Sequence, residues 1–309
     1  MCGRGDRLPE GGRRKKLVTA PQKQAAARHL VASRRCSERQ ACRFLGLSRS
    51  TARYQKRPRA DEAELVERLK QFARKRHRQR RGYRLAHQEL RRAGLKVNHK
   101  RVYRLWRREG LCVPARRRPR KRIRNAAPPR EAVADCPNGV WCLDFVEDST
   151  LGGYRLRVLS VTDEFTRESL ALEAGRSFKA ERVCAVLEEL SAERGKPSAL
   201  RMDNGPEFVA LAVRGLCHRH GISAAYIAPG SPWQNGFAES FHARLRDEFL
   251  NAEAFLSVAD ARARLGVWRR YWNEERLHSS LGYKTPEEFA ARWAAEAGKR
   301  AEAKETTGA

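Results

Sequence analysis

Acidic residues are scarce in the first 130 positions of this 309-residue chain, where nine Asp and Glu stand against 42 Lys and Arg. A net charge of +33 on so short a stretch repels itself unless something anionic covers it, which excludes a self-neutralised surface there. The rest of the chain holds 23 Lys and Arg against 27 Asp and Glu, a net of −4. Genome base composition would enrich arginine throughout, so it does not explain an excess that stops near residue 130. The asymmetry points to a polyanion, and most often that is nucleic acid. Paired cysteines are missing as well. The eight cysteines include no C-x-x-C pair, which argues against structural zinc, and the adjacent ligands of "CHRH" (Cys217 to His220) do not converge on one ion. Cysteine usage of this kind fits a reducing compartment. No apolar run is long enough to span a bilayer, no signal-peptide pattern is present and no internal repeat is apparent.

What is present divides into segments. Residues 1–29 are basic and Gly-rich at the start, and are expected to form a leader without fixed structure. Residues 30–58 contain "SERQACRFLGLSRSTARYQ", which reads as helix, tight turn, helix. Gly46 supplies the turn and Ser48 caps the second helix, on which Arg49 and Arg53 are candidate DNA contacts. Residues 59–112 read as a second helical unit with a basic break at Arg78 to Arg81. Asn98 caps its last helix and Val102, Leu105 and Trp106 form the buried stripe. Lys100, Arg101 and Arg104 lie on the other faces as further candidate DNA contacts. Residues 113–135 combine proline with like charges and are expected to be an extended basic linker.

Beyond residue 136 the pattern changes. "GVWCLDFVED", "YRLRVLSVTD" and "RESLALEAG" have strand length and strand alternation, with turns at Gly152-Gly153 and Glu164 to Thr166. Helix, strand, helix, strand and helix follow, which describes a mixed sheet with helices on its faces. The first of these helices is "FKAERVCAVLEELSAERG", and "PEFVALAVRGLCHRHG" reads as a single later one. Two helices close the region at residue 292, the second capped by Thr285 and Glu288, and residues 293–309 read as a tail.

Three acids in this region carry the chemistry. Asp144 lies inside the apolar strand "VWCLDFV", where a carboxylate costs free energy unless it is paired or bound to a cation. Asp203 ends the strand "ALRMD" and precedes the turn Asn204-Gly205, at the sheet edge where ligand sites of α/β folds gather. Glu239 belongs to the helix opened by "SPWQNGFAES", with Ser231 as N-cap, Pro232 at the first position and Gln234 completing a capping box. Phe237, Phe241, Leu245 and Phe249 form its buried stripe. Glu239, about two turns in, His242 and Arg246 share another face. Converging carboxylates repel unless cations sit between them, and such hard oxygen ligands suit Mg²⁺ or Mn²⁺. Two such ions can serve phosphodiester cleavage. Asp163 and Glu207 read as a turn residue and a helix cap.

With 35 residues between Asp203 and Glu239, and with "LDF", "DNGPEF" and "SPWQNGFAESFH", the chain resembles the catalytic core of DDE transposases and retroviral integrases, an RNase H-like fold. "GYRLAHQELRRAG…NHKRVYRLWRREGL" upstream and "YWNEERLHSSLGYKTPEEF" downstream are similar to the OrfB transposases of bacterial insertion sequences in the IS-three group. The resemblance implies a multidomain protein: N-terminal all-α helix-turn-helix modules, then an α/β RNase H-like core over residues 136–292. It implies Mg²⁺-dependent (or Mn²⁺-dependent) cutting of double-stranded DNA at the element's ends, with two ions, and strand transfer by the freed 3′-hydroxyl. Asp144, Asp203 and Glu239 fall on the family's catalytic, metal-binding positions. Asn235 and Gly236 would let DNA approach the Glu239 helix, and His242 and Arg246 would contact its phosphates. Multimers on paired ends, an upstream OrfA partner or fusion, and a cytoplasmic, nucleoid-associated bacterial location with no membrane partner are the further expectations. The alternatives are a DNA-binding regulator that has lost activity, against which an intact acidic triad speaks, and a nuclease that cuts without joining.

Overall fold

The computed structural model describes residues 19–55, 60–74, 82–112, 133–227 and 235–307. Two compact bodies divide the chain, residues 1–63 and 64–309. In the first, α1 (Ala20–Ala32), α2 (Glu38–Phe44) and α3 (Arg49–Arg53) form the expected helix-turn-helix. The Ser37 hydroxyl accepts from Gln40 N while the Gln40 side chain returns to Ser37 N, and Ser48 accepts from Thr51 N. Gly46 turns the chain between α2 and α3 at φ +57°, a conformation that favours glycine. The boundary expected at residue 29 falls inside α1. Thr19 and Gln22 box its start, Pro21 suits its first turn, and Ala27 buries against the other helices.

The second body holds all but the first two residues of α4 (Glu62–Arg74), then α5 (Tyr83–Arg92) and α6 (His99–Arg108). Leu65, Leu69 and Phe72 of α4 pack with Leu90 of α5 and with Val102, Leu105 and Trp106 of α6. Asn98 caps α6 by accepting from Lys100 N at 2.8 Å, as its sequence predicts. The basic break at Arg78 to Arg81 and most of the linker lie outside the described residues.

The sheet that follows has the order β3-β2-β1-β4-β5. β1 (Val140–Ser149), β2 (Arg155–Asp163) and β3 (Ser169–Gly175) are an antiparallel meander, and β4 (Ala199–Met202) and β5 (Ser223–Tyr226) extend it in parallel. The crossovers run through α7 (Ala180–Arg194) and then through α8 (Pro206–Val209) and α9 (Leu211–His220). α10 (Gly236–Glu248), α11 (Val258–Arg270) and α12 (Pro286–Thr307) complete the fold. Side chains alternate along β1. Trp141 and Leu143 join the core beneath α7 and α9, whereas Val146 joins the core beneath α10 and α11.

Three details differ from the sequence reading. Residues 206–221 are not one helix, because Ala210 is extended (ψ 146°) between α8 and α9. Phe208 and Val213 are both fully buried and lie five residues apart, a spacing that one helix would turn to different faces. The chain also stays helical past residue 292 to Thr307, in a run rich in Ala, Glu and Lys. Ser231, Pro232 and Gln234 lie outside the described residues. α10 as described begins at Gly236 and carries Glu239 in its first turn.

Edge strand β3 is covered by side chains from α11 and from the helical turn that follows it, Tyr271–Glu275. Arg262 donates to Ala174 O, Arg269 to Leu170 O, and the Asn273 amide bonds both Ser169 N and Ser169 O. These bonds occupy backbone groups that would otherwise template another strand. The end of α10 is fixed by a buried ion pair. Glu248 receives Arg276 at 2.8 and 2.6 Å, and that guanidinium also lies over the Trp272 ring. Glu248→Gln leaves an arginine only 6% exposed without its counter-charge. It is expected to destabilise the protein by about 3 kcal/mol or more. Urea denaturation measures this, and an unchanged midpoint would contradict it.

Candidate active site

Asp144 shares the face of β1 that meets α10, because it is two residues from Val146 on the alternating strand. The parallel register pairs Cys142 with Arg201, and its continuation brings Asp144 level with Asp203. Asp203 begins the turn after β4. Gly205 N donates to its Oδ1 at 2.9 Å, and the Asn204 amide ties the turn to Ile227 O at 2.8 Å. A Cβ at Gly205 would stand 2.9 Å from that same Oδ1, so any larger residue would make the carboxylate shift. Glu239 is exposed on α10, whose Phe241, Leu245 and Phe249 are buried against the sheet.

Burial raises the Asp144 carboxyl from its ordinary 3.8 to about 6, and the charges of Asp203 and Glu239 push in the same direction. The three acids thus act on one another. Asp144 Oδ1 accepts from Phe145 N at 2.7 Å; Oδ2 lies 3.4 Å from Asn235 Nδ2 and 3.5 Å from His242 Nδ1.

His242 turns inward rather than toward a phosphate. Burial, and then the charge of Arg246, lowers its pKa to about 4, so it is neutral at pH 7. Its Nε2 lies 2.7 Å from Ser160 Oγ, which donates to Asp144 O at 3.0 Å. With the hydroxyl proton spent there, Ser160 accepts from Nε2–H, and the Nδ1 lone pair faces the Asp144 carboxylate. Two acceptors face each other, an arrangement that a cation or a proton relieves. By donor chemistry the oxygens and this nitrogen fit a divalent ion. Among the described residues no group of three or more His, Cys, Asp or Glu is already arranged to hold one.

The other expected site residues separate. Arg53 is committed to Glu38 through two bonds of 2.8 and 2.9 Å, which lowers the Glu38 pKa and tethers α3 to α2. Asn235, expected where DNA approaches the Glu239 helix and as a candidate DNA contact, is buried. Arg101 is half-buried, while Arg49, Lys100, Arg104 and Arg246 are exposed, the last donating to Glu147 O at 3.2 Å. Asp163 is a turn residue, accepting from the backbone N–H of Asn138, Phe165 and Thr166. Glu207 is held by Arg157, whose guanidinium stacks 3.8 Å from the Phe145 ring centre. Sequence reading missed Ser160 and Cys142. The signal for Ser160 is a hydroxyl inside the apolar "VLSV", directly across from Asp144.

A meander extended by parallel strands, with acids at its centre and helix-turn-helix units ahead of it, defines an RNase H-like DNA-processing enzyme. Integrase core domain families match residues 134–232 and 220–286, and an HTH-like domain family matches residues 59–119. A 31.7 kDa protein of insertion element IS407 from Burkholderia multivorans is 41% identical over 83% of this chain and 91% of its own length. A 39.2 kDa protein of insertion element IS476 from Xanthomonas euvesicatoria is 38% identical over 94% of this chain and 82% of its own. The putative transposase InsD of IS2E from Escherichia coli is 30% identical over 62% of this chain and 91% of its own. The chain belongs to the insertion-element transposases with an integrase core. No helix among the described residues is long and apolar enough to cross a membrane.

Asp144 and His242 make opposite contributions to stability against pH in metal-free protein. A carboxyl raised in the fold favours folding at low pH, and that contribution is lost as pH rises from about 4 through 6. An imidazole lowered in the fold favours folding above its ordinary pKa, a contribution lost as pH falls from 6.5 through 4. The two oppose each other between pH 4 and 6. Relative to wild type, His242→Gln should therefore gain stability on acidification and Asp144→Asn should lose it, each by on the order of 2 kcal/mol. Urea midpoints in EDTA at pH 4.5 and 7 measure this, and parallel profiles for the three proteins would contradict it.

Proposed function

We propose that Asp144, Asp203 and Glu239 are the catalytic carboxylates and hold two Mg²⁺ or Mn²⁺ ions. The enzyme cuts at the ends of its element and joins the freed 3′-hydroxyl to target DNA. The observation that carries this reading is the β1–β4 register, which brings Asp144 level with Asp203 on the side where α10 carries Glu239 in its first turn. In the first step water attacks phosphorus and the 3′-oxygen leaves. In the second step that hydroxyl attacks a target phosphorus and displaces its 3′-oxygen. Bound divalent ions supply Lewis acidity for the attacking oxygen and charge neutralisation for the leaving one. Asp144 is steadied by Phe145 N, and Asp203 by Gly205 N, so two of the three ligands keep their orientation without metal. His242, neutral and bonded to Ser160, lines the space beside Asp144 without adding charge.

DNA is held by the helix-turn-helix body and the α4–α6 module, where the positive charge is concentrated. Arg49, Lys100 and Arg104 there, with Arg246 on α10, are the proposed phosphate contacts, and Arg101 supports them from a half-buried position. The enzyme is proposed to assemble as a homo-oligomer on paired ends.

The test compares Glu239→Gln with Glu193→Gln, an exposed acid on α7. The substrate is a labelled duplex carrying the DNA that flanks the reading frame. Glu239→Gln should cut at least a hundredfold more slowly in Mg²⁺ and retard the same duplex equally in a gel. Equal cutting by the two variants would remove Glu239 from the site.

A further inference from the structure

Asn235 occupies the N-cap position of α10, yet its side chain makes no capping bond. Asparagine at that position usually accepts from the backbone N–H two or three residues on. Here the amide points into the sheet instead, and the residue is only 5% exposed. Cys142 Sγ donates to its Oδ1 at 2.7 Å, and its Nδ2 donates to Asp144 Oδ2 at 3.4 Å. Cys142 is buried and lies two residues from Asp144 on the same face of β1. Asn235 lies four residues ahead of Glu239.

We propose that Asn235, with its amide held between the Asp144 carboxylate and the Cys142 thiol, is a positioning residue that holds Asp144 in register with the Glu239 helix. The proposal rests on the carboxylate reading above. An amide has an acceptor end and a donor end of nearly the same shape, so shape alone does not choose between its two orientations. The Asp144 carboxylate makes the choice, because it only accepts, and the thiol then donates to the oxygen left facing it. With Oδ1 turned to Sγ–H, the N–H falls to Asp144; turned over, the amide would set oxygen against carboxylate. Asp144 then has one N–H donor on each oxygen, from Phe145 and Asn235, and each oxygen keeps a lone pair for a ligand. Hydrogen bonds of this kind behind a metal ligand commonly change metal affinity or activity by about 10–100-fold. The bond also runs from β1 to the residue that starts α10, so one amide sets the spacing of two carboxylates on separate elements.

The test uses the full-length chain and two readouts, the Mn²⁺ concentration that half-saturates the rise in melting temperature and the cleavage rate. Asn235→Ala should raise the half-saturating Mn²⁺ concentration about tenfold or more and slow cleavage by a similar factor. Asn235→Leu, which restores the volume without the amide, should do the same and covers the case in which alanine leaves a destabilising cavity. Cys142→Ser keeps a donor and should stay within about threefold of wild type, while Cys142→Val should shift in the direction of Asn235→Ala. Wild-type Mn²⁺ dependence in Asn235→Ala or Asn235→Leu would overturn the proposal, as would identical behaviour of the two Cys142 variants. Asp144→Asn separates the two levels. If it too responds to Mn²⁺ like wild type, the carboxylate reading fails; if only the Asn235 variants do, the positioning role alone fails.

Discussion

The structure depends on the two-residue alternation of β1. Along that strand Trp141 and Leu143 enter the core beneath α7 and α9, and Val146 enters the core beneath α10 and α11. Asp144 is thereby committed to the side on which α10 lies. A shift of one residue in the β1–β2 register would move the carboxylate to the opposite core and separate it from Glu239. The nine paired positions from Trp141–Asp163 to Ser149–Arg155 fix that register. The apolar side chains between them make slippage costly, at about 1.5–3 kcal/mol for each large one turned out to solvent.

α10 is held in place by the same economy of faces. Phe241, Leu245 and Phe249 bury one side, and Phe241 meets Trp268 and Trp272 edge-on at 5.7 and 4.8 Å between ring centres. The far end is tied by Glu248 to Arg276. A helix anchored at its flank and its end can present Glu239 to solvent without drifting. The carboxylates repel one another while metal-free, so this anchoring has to hold them against their own charge. The Asp144 carboxyl is raised first by burial, and the charges of Asp203 and Glu239 add to it.

Much of this is legible in the sequence where the interaction is local. The Asn98 cap, the Ser48 cap, the Thr285–Glu288 box and the turn at Gly46 each involve residues within a few positions of one another, and each forms as its residue types predict. The strand holding Asp144 and the turn after Asp203 are legible for the same reason. Partners distant in sequence are not. The helical pattern puts Glu248 on the buried stripe, seven residues from Phe241 and three from Leu245, but its partner Arg276 lies 28 residues away and nothing local names it. His242 lies on the Glu239 side of the helical wheel, but only the position of Ser160, 82 residues away, turns it inward. Asn235 reads as turn and cap chemistry until the buried thiol 93 residues earlier is seen to claim its oxygen. The break between α8 and α9 follows from where Phe208 and Val213 must both be buried, a tertiary demand that overrides helix periodicity.

The central claim is that the α10 face of β1 gathers three acids around divalent metal. Crystals of the full-length protein grown or soaked with Mn²⁺ and measured at the manganese absorption edge test it most directly. The account predicts an anomalous peak among the carboxylates of Asp144, Asp203 and Glu239. Manganese bound elsewhere, with these three carboxylates left without it at saturating concentration, would contradict the account.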